Sequence, residues 1–110
     1  MESFPKKMRL CKTPEFKKVF DARRSAADGT FIVFVILNGL GHCRLGLSVS
    51  KKVGNAVVRN RWKRVIRTAF RKNQAAFSDH FDIVVVPQKG ATLPAEHDAE
   101  KSLSALVAKI

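Results

Sequence analysis

The sequence predicts an α/β (α+β) two-layer sandwich, in which helices pack on a small mixed β-sheet in the order α-β-β-α-β-α. Three observations carry this. Two short runs, Phe31–Leu37 and Phe81–Val86, are apolar, of strand length and rich in β-branched and aromatic residues. Around them lie segments whose apolar residues recur at helical spacing. A chain of 110 residues with 45% hydrophobic content also forms one domain, residues 1–110, with enough apolar side chain for a core.

The elements follow in order. Residues 1–9 hold Lys6, Lys7 and Arg9 with no apolar stretch behind them, so they are expected as a flexible N-terminal segment and lack the pattern of a secretory signal. Thr13-Pro14-Glu15 reads as a helix start, with a hydroxyl cap, proline at the first helical position and an acid near the positive end of the dipole. That helix is expected to run to about Arg23, with Phe16, Val19 and Phe20 as its apolar stripe. Ala27-Asp28-Gly29 breaks the pattern, and Phe31–Leu37 follows as a buried strand. Asn38-Gly39-Leu40-Gly41 is turn material, so Cys43–Val49 is expected as the returning strand of a hairpin. After the polar loop Ser50–Asn55, a helix is expected over Ala56–Asn73. Phe81–Val86 is a third strand, stopped by Pro87. Thr92-Leu93-Pro94 opens a last helix with Ala99, Leu103, Leu106, Val107 and Ile110 as its stripe. The Ala56–Asn73 helix joins two strands as a crossover, for which the general rule favours a right-handed connection.

Charge is placed unevenly. The net charge is +12, yet residues 73–110 alone carry −2. Lys51–Lys72 holds nine of the 21 Lys and Arg residues and no Asp or Glu. On a helical wheel Val58, Trp62, Val65, Ile66, Ala69 and Phe70 share one arc, which makes Trp62 a core residue. Lys63, Arg64, Arg67 and Arg71 share the opposite arc, with Arg61 on its flank. Exposed helices ordinarily relieve such repulsion with opposite charges at i,i+4. Leaving it unrelieved points to a polyanionic partner, and a phosphate backbone is the commonest one. Lys51 and Lys52 extend the same charge into the preceding loop, and Asn60 adds a neutral donor and acceptor. Phe16 and Phe20, flanked by Lys12, Lys17 and Lys18, read either as core or as a stacking platform for a single strand.

Protein-based chemistry finds no foothold in the pattern. The nine acids form no spaced metal motif, His42, His80 and His97 fall in or beside expected loops without ligand partners, and Gly39, Gly41 and Gly46 make no phosphate-cradling loop. Cys11 and Cys43 read as reduced thiols of a cytoplasmic protein. The longest apolar run, Phe31–Leu37, is too short to span a bilayer, so no membrane partner is expected.

The run Arg44-Leu45-Gly46-Leu47-Ser48-Val49-Ser50-Lys51-Lys52-Val53-Gly54-Asn55, continuing through Arg59-Asn60-Arg61-Trp62-Lys63-Arg64 to Arg67, resembles the signature of the bacterial ribonuclease P protein component. Leu10 to Phe20 and Asp82-Ile83-Val84-Val85-Val86-Pro87 extend the resemblance over roughly residues 8 to 107. It implies a non-catalytic subunit of an endoribonuclease, in which an RNA holds the active site and its Mg²⁺ and cuts the 5′ leader from precursor tRNA. One protein would accompany each RNA. Arg59, Asn60, Arg61, Lys63, Arg64 and Arg67 would contact the catalytic RNA. Phe16, Lys17 and Phe20, with Phe34 as a weaker member, would line a cleft for the single-stranded leader. The resemblance also implies a left-handed crossover around the basic helix. Two positions depart from the family pattern: Thr68 stands where Glu or Gln is frequent, and Phe34 where Tyr is frequent.

Overall fold

The computed structural model describes residues 9–10, 13–73, 77 and 80–110. Its elements are helix α1 (Thr13–Asp21), strands β1 (Ser25–Ala27), β2 (Phe31–Leu37) and β3 (Arg44–Leu47), a 3-10 turn (Lys51–Val53), helix α2 (Ala56–Asn73), strand β4 (Phe81–Pro87) and helix α3 (Glu96–Ala108). The expected flexible segment lies outside the described residues for 1–8, as do Cys11 and Lys12. Arg9 belongs to the sheet margin: it bridges Leu45 in parallel, and the Leu10 N–H donates to the Leu45 carbonyl at 2.9 Å.

The four strands lie in the order β1-β2-β4-β3. β2 pairs antiparallel with β4 from Phe31↔Pro87 to Leu37↔Phe81, and β3 pairs parallel with β4 from Arg44↔Asp82 to Leu47↔Val85. The hairpin expected between Phe31–Leu37 and Cys43–Val49 therefore does not form. β4 is inserted between the two strands because it is apolar on both faces: Ile83, Val84 and Val85 are all buried, which only an interior strand achieves. Residues 38–43 bridge the two strand spacings, roughly 10 Å, with ease. Asn38 shapes that loop, its Oδ1 accepting from Leu40 N–H at 2.8 Å and its Nδ2 donating to the His42 carbonyl at 3.0 Å.

Several boundaries differ from expectation: β3 covers Arg44–Leu47 rather than Cys43–Val49, and β4 takes in Pro87 instead of stopping before it. α1 stops at Asp21, where Arg23 adopts a left-handed φ of 55° and its N–H returns to the Phe20 carbonyl. The short strand β1, which has no apolar run to announce it, follows and pairs with β2. α3 begins at Glu96 rather than at Pro94, with Ala95 extended and with Glu96 and Asp98 in the first turn near the positive end of the dipole. α2 spans the expected Ala56–Asn73.

Two apolar clusters divide the sheet between its faces. Phe31, Val33, Val35, Leu45, Ile83 and Val85 pack with α2 and α3, and Trp62 meets Phe31 edge-on at 5.9 Å. That is the sandwich of sheet and helices. On the opposite face α1 lies across Phe34, Ile36, Val84 and Val86 through Phe16, Val19 and Phe20. Alternation along β2 and β4 thus assigns odd-numbered residues to the α2 and α3 side and even-numbered ones to the α1 side on β4 and β2 alike.

The β1–β2 turn is fastened to α3. Asp28 accepts from Thr30 N–H at 2.9 Å, from Phe31 N–H at 3.1 Å and from the Ser102 hydroxyl. Burial works to raise its pKa, but the Ser102 hydroxyl, the two backbone donors and the charge of Lys109 outweigh it and hold the carboxyl below its ordinary value. Because the folded value is the lower one, this contribution to stability is present above the unfolded pKa and is lost as pH falls through the folded pKa. Asp28→Asn is expected to narrow the stability gap to wild type steadily as pH drops from about 6 to about 2. Denaturant unfolding at several pH values checks this; a gap independent of pH would sink it.

Candidate nucleic-acid surfaces

α2 is anchored before it is charged. Asn55 Oδ1 accepts from Val58 N–H at 3.0 Å and caps the first turn. Trp62, Val65, Ile66, Ala69 and Phe70 are buried beneath the helix, and Asn73 Nδ2 ties its end to the Glu100 carbonyl of α3 at 2.9 Å. Asn60, Arg61, Arg64 and Arg67 are left exposed along one face. Arg61 to Arg71 cover about 15 Å of helix axis. Among the described residues none of Arg59, Arg61, Lys63, Arg64 and Arg67 has an acidic partner. Lys72, at the far end of the run, does, at 3.9 Å from Glu100.

The structure refines three of the expected contacts. Lys63 and Arg71 are half-buried rather than fully displayed. Arg59 lies on the flank nearest the core, with its Nε buried and unpartnered among the described residues, so its terminal nitrogens carry whatever contact it makes. Lys51 and Lys52 are exposed on the 3-10 turn that leads into α2. Lys89 is a base the sequence reading passed over. It sits on the loop after β4 and shares a cleft of about 390 Å³ with Ser50, Lys52 and Trp62. Only the fold brings it there, since 37 positions separate it from Lys52.

The aromatic candidates gather on the other face of the sheet. Phe16, Phe20 and Phe34 are half-buried around Leu10, Val19 and Val84, and Phe20 meets Phe34 edge-on at 4.8 Å. They are thus partly core and partly accessible, where α1 crosses the sheet. Lys17 stands exposed beside them and donates to Asp21 at 2.7 Å. That hydrogen bond, with the charge of Asp21, raises the Lys17 pKa. The structure therefore brings the three rings together but places them across the sheet from the cations of α2.

The start of α1 meets a cluster missed in the sequence. Asp82 is buried inside β4 and receives Arg44 in a two-pronged contact, Nε to Oδ1 at 2.8 Å and Nη2 to Oδ2 at 2.6 Å. Arg44 Nη1 reaches Glu15 of α1 at 2.9 Å, and Asn38 Nδ2 reaches Asp82 at 2.9 Å. Bonding to Asp82 raises the Arg44 pKa still further above its ordinary value, against the effect of burial. A carboxylate in the second position of Phe81–Val86 was the available signal, because a charge in an apolar strand demands a partner. Glu15 is thus more than a helix-start acid: it fixes α1 to β3. The cleft beside it, about 370 Å³, is rimmed by Pro14, Leu37 and Leu40.

These features define a class of protein, a small basic α+β domain with a cationic helix on one face of its sheet and an aromatic groove on the other. The family model described as Ribonuclease P matches residues 4–110. The ribonuclease P protein component of Listeria monocytogenes serotype 4b is 40% identical over 99 residues, covering 89% of this chain and 83% of that protein. The one from Maridesulfovibrio salexigens is 42% identical over 113 residues, covering 98% and 90%. The solved RNase P protein of Thermotoga maritima superposes with a TM-score of 0.83 at 32% identity, over 93% of this chain and 96% of that one. That of Staphylococcus aureus gives 0.81 at 33%, over 93% and 94%. The chain belongs to the ribonuclease P protein component family, which places it in a tRNA-processing endoribonuclease and implies an RNA partner.

The Arg44 cluster makes a stability prediction. Arg44→Met strands the Asp82 carboxylate, whose side chain is only 7% exposed, and is expected to cost about 3–5 kcal/mol. Arg44→Met combined with Asp82→Leu should recover most of that loss. Chemical denaturation separates the two; equal losses would show that the stranded charge is not the cause.

Proposed function

We propose that this chain is the RNA-binding protein subunit of ribonuclease P, working as one protein per RNA in the cytoplasm, and that it assists removal of the 5′ leader from precursor tRNA. The observation that carries the reading is the exposed face of Arg61, Arg64 and Arg67, anchored from below and without acidic partners among the described residues. Arginine pairs with phosphate in two-pronged fashion, so this face, with Lys51, Lys52, Arg59, Asn60, Lys63 and Arg71, suits the backbone of a catalytic RNA. The groove of Phe16, Phe20 and Phe34, with Lys17 beside it, suits a single-stranded leader, because stacking on aromatic rings tolerates any base.

The reaction's Mg²⁺ is assigned to the RNA and the substrate. Among the described residues no group of three or more His, Cys, Asp or Glu side chains is placed to hold a metal ion. The protein's share is electrostatic and positional. Fixed cations between two polyanions reduce their repulsion, which raises affinity for substrate and lets the RNA retain its metal at lower concentration.

A reconstitution tests the reading. Added to a bacterial ribonuclease P RNA and precursor tRNA at low Mg²⁺, the purified chain is expected to raise 5′ cleavage strongly. No gain would overturn the assignment, and cleavage by the chain without RNA would point to a protein nuclease.

The docking face has its own test. If about five bases each neutralise one phosphate, log K for assembly should fall with log salt at a slope of roughly −4. Arg61→Ala with Arg64→Ala should weaken assembly and reduce the slope by about two. Unchanged assembly would remove α2 from the interface.

A further inference from the structure

We propose that Gly46 of β3 is a positioning residue for the groove: the missing side chain is the seat on which the Phe16 ring lies. A Cβ built at this position would stand 2.8 Å from Phe16 Cε1, 2.9 Å from Phe16 Cζ and 3.1 Å from Leu10 Cβ. Non-bonded carbons settle about 3.5–4.0 Å apart, so the ring rests closer to the β3 backbone than any side chain would allow.

Conformation does not explain the glycine. Gly29, Gly39, Gly41, Gly54 and Gly90 all have positive φ, whereas Gly46 sits in regular strand pairing with Val84. Glycine inside a strand weakens it, and its usual justification there is the close approach of another group. That group is Phe16. Its ring is half-buried because β3 receives one side of it while the other side adjoins the groove near Phe20 and Phe34.

The two closest atoms are the far end of a side chain that can swing, and Leu10 Cβ need give by only a few tenths of an ångström. An added methyl would therefore push the Phe16 ring outward and narrow the groove, and leave the sheet and α2 as they are. The position is also placed to link the two surfaces. β3 runs through residues 48–50 into the Lys51–Val53 turn and then into α2, so the strand that seats the aromatic wall also leads into the cationic helix.

The inference rests on the groove being the leader site, and the test keeps the two apart. Complexes reconstituted with ribonuclease P RNA are compared for binding of precursor tRNA and of leaderless tRNA, using wild type, Gly46→Ala, Phe16→Ala and the double variant. Gly46→Ala should weaken the leader-bearing substrate about tenfold, the equivalent of roughly one stacked base, and leave leaderless tRNA unchanged. On the Phe16→Ala background it should add nothing, because the ring it displaces is gone. Equal losses for both substrates, or a loss that persists without Phe16, overturn the proposal as a general structural effect. A leader-selective Phe16→Ala defect with an inert Gly46→Ala overturns the Gly46 role and leaves the groove reading intact. An unselective Phe16→Ala removes both. Should Gly46→Ala alone fail to fold, Gly46→Ala with Phe16→Leu must fold, since the shorter side chain makes room; failure of both also overturns it.

Discussion

The two-sided burial of β4 governs the rest of the molecule. Ile83, Val84 and Val85 are each at most 1% exposed, so neither face of the strand can be left to water. A strand of this kind must lie inside the sheet and must be covered from both sides. β2 and β3 flank it, α2 and α3 cover one face, and α1 covers the other. The separation of the cationic helix from the aromatic groove follows directly: each belongs to a different cover of the same strand. The two surfaces therefore lie on opposite sides of the sheet and do not overlap.

Energetics explain why α2 tolerates its own charge. Like-charge neighbours at i,i+3 and i,i+4 each oppose the helix by a few tenths of a kcal/mol. Burying Trp62, Ile66 and Phe70 contributes about 1.5–3 kcal/mol apiece by comparison. The core face therefore outweighs the repulsion severalfold. The Lys72–Glu100 pair, half-exposed and 3.9 Å apart, adds little. The cations of the middle of the helix remain held in place by packing from below, with their electrostatic attraction available to a partner.

Much of this was legible in the sequence where a single helix or strand could be judged by itself. The wheel of Ala56–Asn73 separated Trp62 and Ile66 from Arg64 and Arg67 because helical periodicity is a local property. Pairing is not local. Turn residues at Asn38–Gly41 suggest a hairpin, but nothing within Phe31–Val49 reveals that β4, more than thirty residues on, will take the neighbouring place. The clue lay in Phe81–Val86 itself, where Ile83–Val86 is apolar on both faces and marks an interior strand. β1 was invisible for the opposite reason: Ser25-Ala26-Ala27 has no apolar pattern and owes its pairing to β2. The aromatic cluster was half legible. Periodicity found Phe16 and Phe20, yet core and stacking platform share that spacing, and only the fold shows that they are partly core and partly accessible.

Arg44 and Gly46 show how a groove can be built from one edge strand. On successive positions of the same face, β3 offers first a charge and then an absence. The charge bridges Glu15 of α1 to the buried Asp82 of β4, which fixes the start of the helix against the sheet. Buried ion pairs of this type seldom add net stability over apolar packing, but they penalise every arrangement in which the partners separate. The absence, two residues on, lets Phe16 settle against the strand beside that anchor. Both contacts fall on adjacent residues, Glu15 and Phe16, so together they fix the start of α1 against β3, while Phe20 one turn on meets Phe34 directly.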